Sequence, residues 1–247
     1  MPSRIGLIVP SSNTTMEIEI PAMLARRAAA NPSETLTTHS SRMRMRRVSA
    51  EELKSMDADS DRCAAELADA SCDIYVYACL VAIMARGGSY HEESEARLAG
   101  VVADNGAPGP VVSSAGALVT ALRALEARRI AVVTPYVDTL TAMVGSYLEN
   151  QGFEVRDTLS LNVADNLAVG RLNTDDLLGH YKKLDLSGCD ALVLSACVQM
   201  PSLAVVQQVE DECGLPVVTA ATATVYSLLS NLGVAPAVPD AGVLLAP

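Results

Sequence analysis

The sequence predicts an α/β fold: two doubly wound, flavodoxin-like parallel-sheet halves related by a pseudo-twofold axis, with a functional site in the cleft between them. Three observations carry this. Three segment pairs recur in the same order along the 247 residues. "RIGLIVPSSN" from Arg4 matches "RIAVVTPYVD" from Arg129, and "DIYVYACLV" from Asp73 matches "DALVLSACVQ" from Asp190; "PVVSSAGALVTALRAL" from Pro110 matches "PVVTAATATVYSLLSNL" from Pro216. Each segment is a β-branched run, a small or polar turn, and a helix-period pattern, which is the βα unit of a parallel sheet. The composition agrees: 50% of residues are hydrophobic, mostly Ala, Val and Leu, with no Trp and one Phe. Side chains of that size suit strands covered by helices on both faces.

In chain order, a first strand after Arg4 leads through Asn13 into a helix from Thr14. Glu34 to Met45 alternates as a strand. Ser49 with Glu52 three residues on is a capping box opening a long amphipathic helix. The run from Asp73 is a strand that hands over to a helix at Cys79, and the Pro110 unit closes the first half. In the second half a strand follows Arg129, and "TLTAMVGSYLENQGF" is a helix ending at Gly152. "EVRDTLSLN" is a strand, and the Asp190 run hands over at Cys197. The expected boundaries are 1–115 for the first half, with 217–247 packing back onto it, and 116–216 for the second. No Ser- or Pro-rich linker separates them.

The formal charge of −11 argues against nucleic acid and anionic membrane surfaces as partners. An anionic ligand would need a locally electropositive pocket. No apolar run is long enough to span a bilayer, and the opening "MPSRIGLIVPSSN" runs straight into a strand, so a cytoplasmic protein is expected. The six cysteines are then thiols, without a CxxC pair, and the three His are far apart. No structural zinc site is expected. Cys63, Cys72, Cys189 and Cys213 read as packing residues.

Cys79 and Cys197 are different, because the repeat puts them at equivalent strand ends. Ligands of open α/β sheets bind beyond those ends. If the halves face each other, the two thiols flank one cleft. Each is also expected to sit at a helix N-terminus, where free N–H groups favour thiolate. Such a pair can supply a nucleophile and an acid, or an acid and a base.

At "IGLIVPSSN", "YACLVAIM", "VTPY", "VADN" and "SACVQMPS" the sequence resembles the aspartate/glutamate racemase superfamily, and within it the maleate cis–trans isomerases. The similarity covers essentially the whole chain. It implies that Cys79 adds to an olefinic carbon and that Cys197 handles the proton at the neighbouring carbon. It implies that Asn13, Tyr136 and Asn166, with Ser11, bind the substrate carboxylates, aided by backbone amides around Leu80, Val81 and Val198. It also implies a small dicarboxylate substrate, no metal or organic cofactor, and a homodimer or higher homo-oligomer.

Other readings stay open at this point. Asn13 can be a helix cap, Asn166 a cap or turn residue, and Tyr136 an ordinary half-buried tyrosine. His39, His91 and His180 read as structural or exposed. Arg42 to Arg47 reads as a solvated strand edge that could help draw in a dianion, and residues 85–95 as either a mobile lid or a surface loop. A two-thiol amino-acid or hydantoin racemase shares the fold, but needs a binder for an α-ammonium, and no acidic residue stands beside either cysteine corner in sequence. Malonate decarboxylases of this group resemble the pattern with only one of the two thiols. A non-catalytic dicarboxylate-binding module is the remaining rival.

Overall fold

The two repeats fold into two four-stranded sheets, every strand pair within them parallel. The computed structural model describes residues 2–46 and 50–246. In the first half the order along the chain is β1 (Ser3–Pro10), α1 (Met16–Ala30), β2 (Leu36–Met43), α2 (Ala50–Asp69), β3 (Ile74–Tyr77), α3 (Leu80–Met84), α4 (Tyr90–Asp104), β4 (Val111–Ser113) and α5 (Ser114–Ala124). The second half runs β5 (Arg129–Thr134), α6 (Asp138–Asn150), β6 (Glu154–Ser160), α7 (Asn166–Val169), α8 (Leu177–His180), β7 (Ala191–Ser195), α9 (Val206–Cys213), β8 (Val217–Thr219) and α10 (Ala220–Asn231). The sheet orders are β2-β1-β3-β4 and β6-β5-β7-β8, the same arrangement twice.

That order follows from the strands' chemistry. β3 and β7 are buried along their whole length and take inner positions. β1 and β5 are buried except at their first residues and sit beside them. The polar runs LTTHSSRM and EVRDTLS make β2 and β6, which lie at the edges, where charge discourages further pairing. Local signals fix the helix ends. Ser113 Oγ accepts from Gly116 N and starts α5, while Thr219 and Thr222 form a reciprocal cap on α10. α6 stops at Asn150, two residues before Gly152, whose φ of +92° a side chain would resist. The capping box expected of Ser49 lies outside the described residues.

The expected boundaries need two corrections. β8 pairs with β7, so residues 217–219 belong to the second sheet, and the return onto the first half begins only with α10. A cut at 115/116 would fall inside α5. α10 packs against α5 and α1 and reaches β3 and β4, while α5 reaches β8. The exchange buries small residues: Ala115, Gly116 and Ala117 on one helix, and Ala220, Ala221 and Ala223 on the other. Among the described residues, no helix is long and apolar enough to cross a membrane.

Candidate active site

In both sheets the chain reverses its order of laying down strands between the two inner ones, which opens a crevice beyond their carboxyl ends. The predicted residues emerge there: Asn13 after β1, Cys79 after β3, Tyr136 after β5 and Cys197 after β7. All four are buried and line one cavity together with Asn166, Val81 and Val198. The cavity is narrow, about 10 Å³, which is room for roughly one water. An adjoining apolar recess of about 70 Å³, lined by Val137, Leu140, Val163 and Val169, shares Tyr136 and Asn166 with it.

The thiol corners differ from each other. Cys79 is the extended residue immediately before α3, and the Ala82 N–H donates to its sulfur. Cys197 opens no helix, contrary to expectation. Ser195 Oγ donates to the Cys197 carbonyl at 3.0 Å, bending the chain into a turn through Val198 and Gln199. Helical structure resumes only with the single turn at Leu203–Val205. The turn after Cys197 aims two amides at its sulfur, Gln199 N–H at 3.4 Å and Met200 N–H, and the hydroxyl of Tyr136 joins them from the end of β5.

Burial decides the electrostatics of both thiols. It pushes Cys79 up to about 12; the Ala82 N–H opposes this, and the charges of Cys197 and Asp57 reinforce it. The N–H at the start of α3 does favour the Cys79 thiolate, as expected of a helix N-terminus, but one such bond does not offset removal from water. Burial raises Cys197 as well, against the Tyr136 hydroxyl and the Gln199 and Met200 amides. Tyr136 itself is raised well above its ordinary value, chiefly by burial, so it remains a donor.

Asn13 does cap α1: its Oδ1 accepts from Met16 N at 3.1 Å. Its Nδ2 reaches across the cleft to the Val198 carbonyl at 3.1 Å. Asn166 is not a cap, since Asp165 accepts from Leu167 N and takes that role. The Asn166 Nδ2 donates to Ser12 Oγ at 2.8 Å. Ser11 departs from expectation. It is exposed and lies outside the cavity lining, exchanging hydrogen bonds with the Met45 backbone at 3.0 and 3.2 Å. It thereby fixes Met45, which does line the cavity. Leu80 is buried behind the lining.

Arg42 is also more than a solvated charge. Its guanidinium pairs with Glu17 and donates to the carbonyls of Ser11 and Asn13, the latter at 2.6 Å. Arg47 lies outside the described residues. In the 85–95 segment, Tyr90 onward is helix with His91 and Ser94 buried, and Gln151 Nε2 donates to Gly88 O.

Two site features escaped the sequence reading. Gln199, two residues after the thiol, is buried and hydrogen-bonded to several segments at once. Asp57 comes from α2 to a place where its charge acts on Cys79, but Tyr77, Tyr90 and Arg97 all donate to it. It does not line the cavity. Among the described residues, no group of three His, Cys, Asp or Glu could hold a metal ion.

A family model described as arylmalonate decarboxylase matches residues 5–245. A maleate isomerase of Geobacillus stearothermophilus is 58% identical over 242 residues, covering 98% of this chain and 96% of the relative. The chain belongs to the maleate isomerase family. The crystal structure of the maleate isomerase Iso from Pseudomonas putida S16 superposes with a TM-score of 0.98 at 49% identity, covering 100% of this chain and 99% of that one. A cysteine-to-serine variant of the Nocardia farcinica maleate cis–trans isomerase carries a covalently bound succinylcysteine intermediate. It superposes at 0.95 with 48% identity, covering 99% of this chain and 98% of that one. The family belongs to the racemase-like superfamily named by the sequence motifs, and its members are isomerases.

Proposed function

We propose that the chain converts maleate to fumarate by reversible addition of Cys79 to the double bond. The observation that carries this reading is the pair of buried thiols, one from each half, lining a single cavity with Asn13, Tyr136 and Asn166. Rotation about a C=C bond is slow because it breaks the π bond. Cys79 first loses its proton to solvent while the site is open; when its thiolate then adds, the carbon–sulfur bond forms and the π electron pair moves to the neighbouring carbon and its carboxylate. Cys197 delivers its proton to that carbon. The former double bond is then single in a succinyl–cysteine adduct and rotates. Elimination returns the proton to Cys197, breaks the carbon–sulfur bond and leaves the trans diacid. One hard step becomes two easier ones.

The donors around Cys197 fit its half of this exchange. Once it has given up its proton, the Tyr136 hydroxyl and the Gln199 and Met200 amides stabilise the thiolate left behind. Asn13 and Asn166 hold the carboxylates with neutral donors, which suits a dianion beside a thiolate. Arg42 adds positive charge behind the Asn13 loop. A cavity this small must open to admit a four-carbon diacid. Its closed form excludes water from the enolate-like intermediate. Incubation with maleate, followed by proton NMR, should show the fumarate signal growing. Maleate left unchanged while amino acids exchange their α-proton in D₂O would mean a racemase instead.

A further inference from the structure

The two asparagines come from opposite halves of the chain, and the carboxamide of a single side chain bonds to the backbone at both. Gln199 is buried at 2% exposure. Its Oε1 accepts from Thr14 N at 3.0 Å and Thr15 N at 3.5 Å, the two residues that lead from Asn13 into α1. Its Nε2 donates to the Ser12 carbonyl at 3.0 Å and to the Asn166 carbonyl at 3.2 Å. Both acceptor sites and both donors of the carboxamide are therefore used. Its backbone belongs to the same junction: the carbonyl accepts from Thr15 Oγ1 at 2.8 Å, and the N–H points at the Cys197 sulfur.

We propose that Gln199 is the positioning residue of this site, its carboxamide holding Asn13 and Asn166 in fixed relation to Cys197. The inference rests on the isomerase reading for its kinetic consequence, but its geometric content does not. Only a primary amide fits. A carboxylate would turn two donors into acceptors facing two carbonyls, and a thioether would leave four backbone groups without partners in a buried place. Gly170 belongs to the same device. A Cβ there would lie 2.5 Å from Gln199 Nε2, so glycine at that position leaves the amide its room.

The test compares Gln199→Met, which keeps length and bulk, with Gln199→Glu. Either should lower kcat about 100-fold, since a displacement on the order of 1 Å at a reacting centre has that effect. A residue that merely supports the fold would give losses that add to those of its neighbours. If Gln199 acts through Asn13, then Asn13→Ala should cost far less in the Gln199→Met background than in the wild type. Additive losses would overturn the proposal. If the wild type does not turn over maleate, the proposed function fails and a second readout decides. Iodoacetamide labelling with peptide mapping should show the Cys197-to-Cys79 ratio changed in Gln199→Met, and an unchanged ratio refutes the positioning role. Should both Gln199 variants fail to fold, Gly170→Ala, which presses on the same amide, is subjected to the same cycle and labelling, with the same outcomes deciding.

Discussion

The side-chain amide of Asn13, at the end of the first strand, donates to the carbonyl of Val198, 185 residues further along the chain. The bond spans the cleft between the halves, and its acceptor is the residue next to the second thiol. The amide has a second N–H, so a substrate carboxylate can accept from Asn13 while this bond stays in place.

Asn13→Ala and Asn166→Ala should each remove about 2–4 kcal/mol of transition-state stabilisation, read as kcat/KM, if they face the developing enolate charge. Asn13→Ala should also lower the melting temperature, because the same side chain caps α1 and a lost cap costs about 1 kcal/mol. Asn166→Ala removes no cap, since Asp165 caps α7, but it loses the buried bond to Ser12 Oγ and should lower the melting temperature through that bond instead. A change confined to KM would mean that ground and transition states are bound equally.

The thiols should not be equivalent. Cys79→Ser should abolish turnover, because a hydroxyl gives up its proton far less readily than a thiol in the same buried place and lacks the sulfur nucleophile. Cys197→Ser should keep a small residual rate, because a hydroxyl held by Tyr136 can still donate a proton. Steady-state rates of the two variants settle this, and near-wild-type turnover by Cys79→Ser removes it from the nucleophile's role.

Addition to the double bond leaves a trace that proton transfer does not. Cys197→Ser incubated with maleate, quenched in acid and digested should carry a succinyl mass on the Cys79 peptide. Finding that mass on Cys197 in the wild type, and never on Cys79, would reverse the two roles.

Burial of Cys79 also predicts how stability depends on pH. Burial pushes its thiol up from the ordinary cysteine value of 9.0 to about 12. Below pH 9 both folded and unfolded chains hold the proton, and the contribution is complete. Above it the unfolded chain releases the proton first, so stability falls as pH rises from about 9 towards 12. Urea midpoints measured between pH 7 and 10.5 should decline more steeply in the wild type than in Cys79→Ala. Parallel curves would show that the thiol is less desolvated than its surroundings imply.

How much of this was legible in the sequence depends on the range of the interaction concerned. The strand pairs β1 and β5, β3 and β7, and β4 and β8 could be read because continuous apolar β-branched runs leave little choice of structure, and the repeat shows each twice. The placement of Cys79 and Cys197 at equivalent strand ends followed. Their surroundings did not. Whether a helix or a turn follows Cys197 depends on the Ser195 hydroxyl, and the raised thiol of Cys79 on its enclosure by both halves. Ser11 and Ser12 are neighbours of one type. Only the packing of Met45 against one and Asn166 against the other tells them apart. Gln199 stood inside a motif that had been noticed, but a glutamine gives no sign in sequence of which four groups it will bind.

Arg27, on the first helix, is buried, with Nη1 on the carbonyls of Ala235 and Ala237, 208 and 210 residues later, and its remaining donors on Glu34. During synthesis those carbonyls leave the ribosome some 208 to 210 residues after the guanidinium that binds them. Until they do, the guanidinium keeps its water, and the side of α5 that α10 will cover stays exposed. The first repeat can form its sheet early but cannot close its surface alone, although nascent chains usually complete their N-terminal units first. The duplication visible in the sequence has therefore yielded one folding unit. A ribosome stalled in the second repeat would hold a first one whose α5 surface α10 has not yet covered.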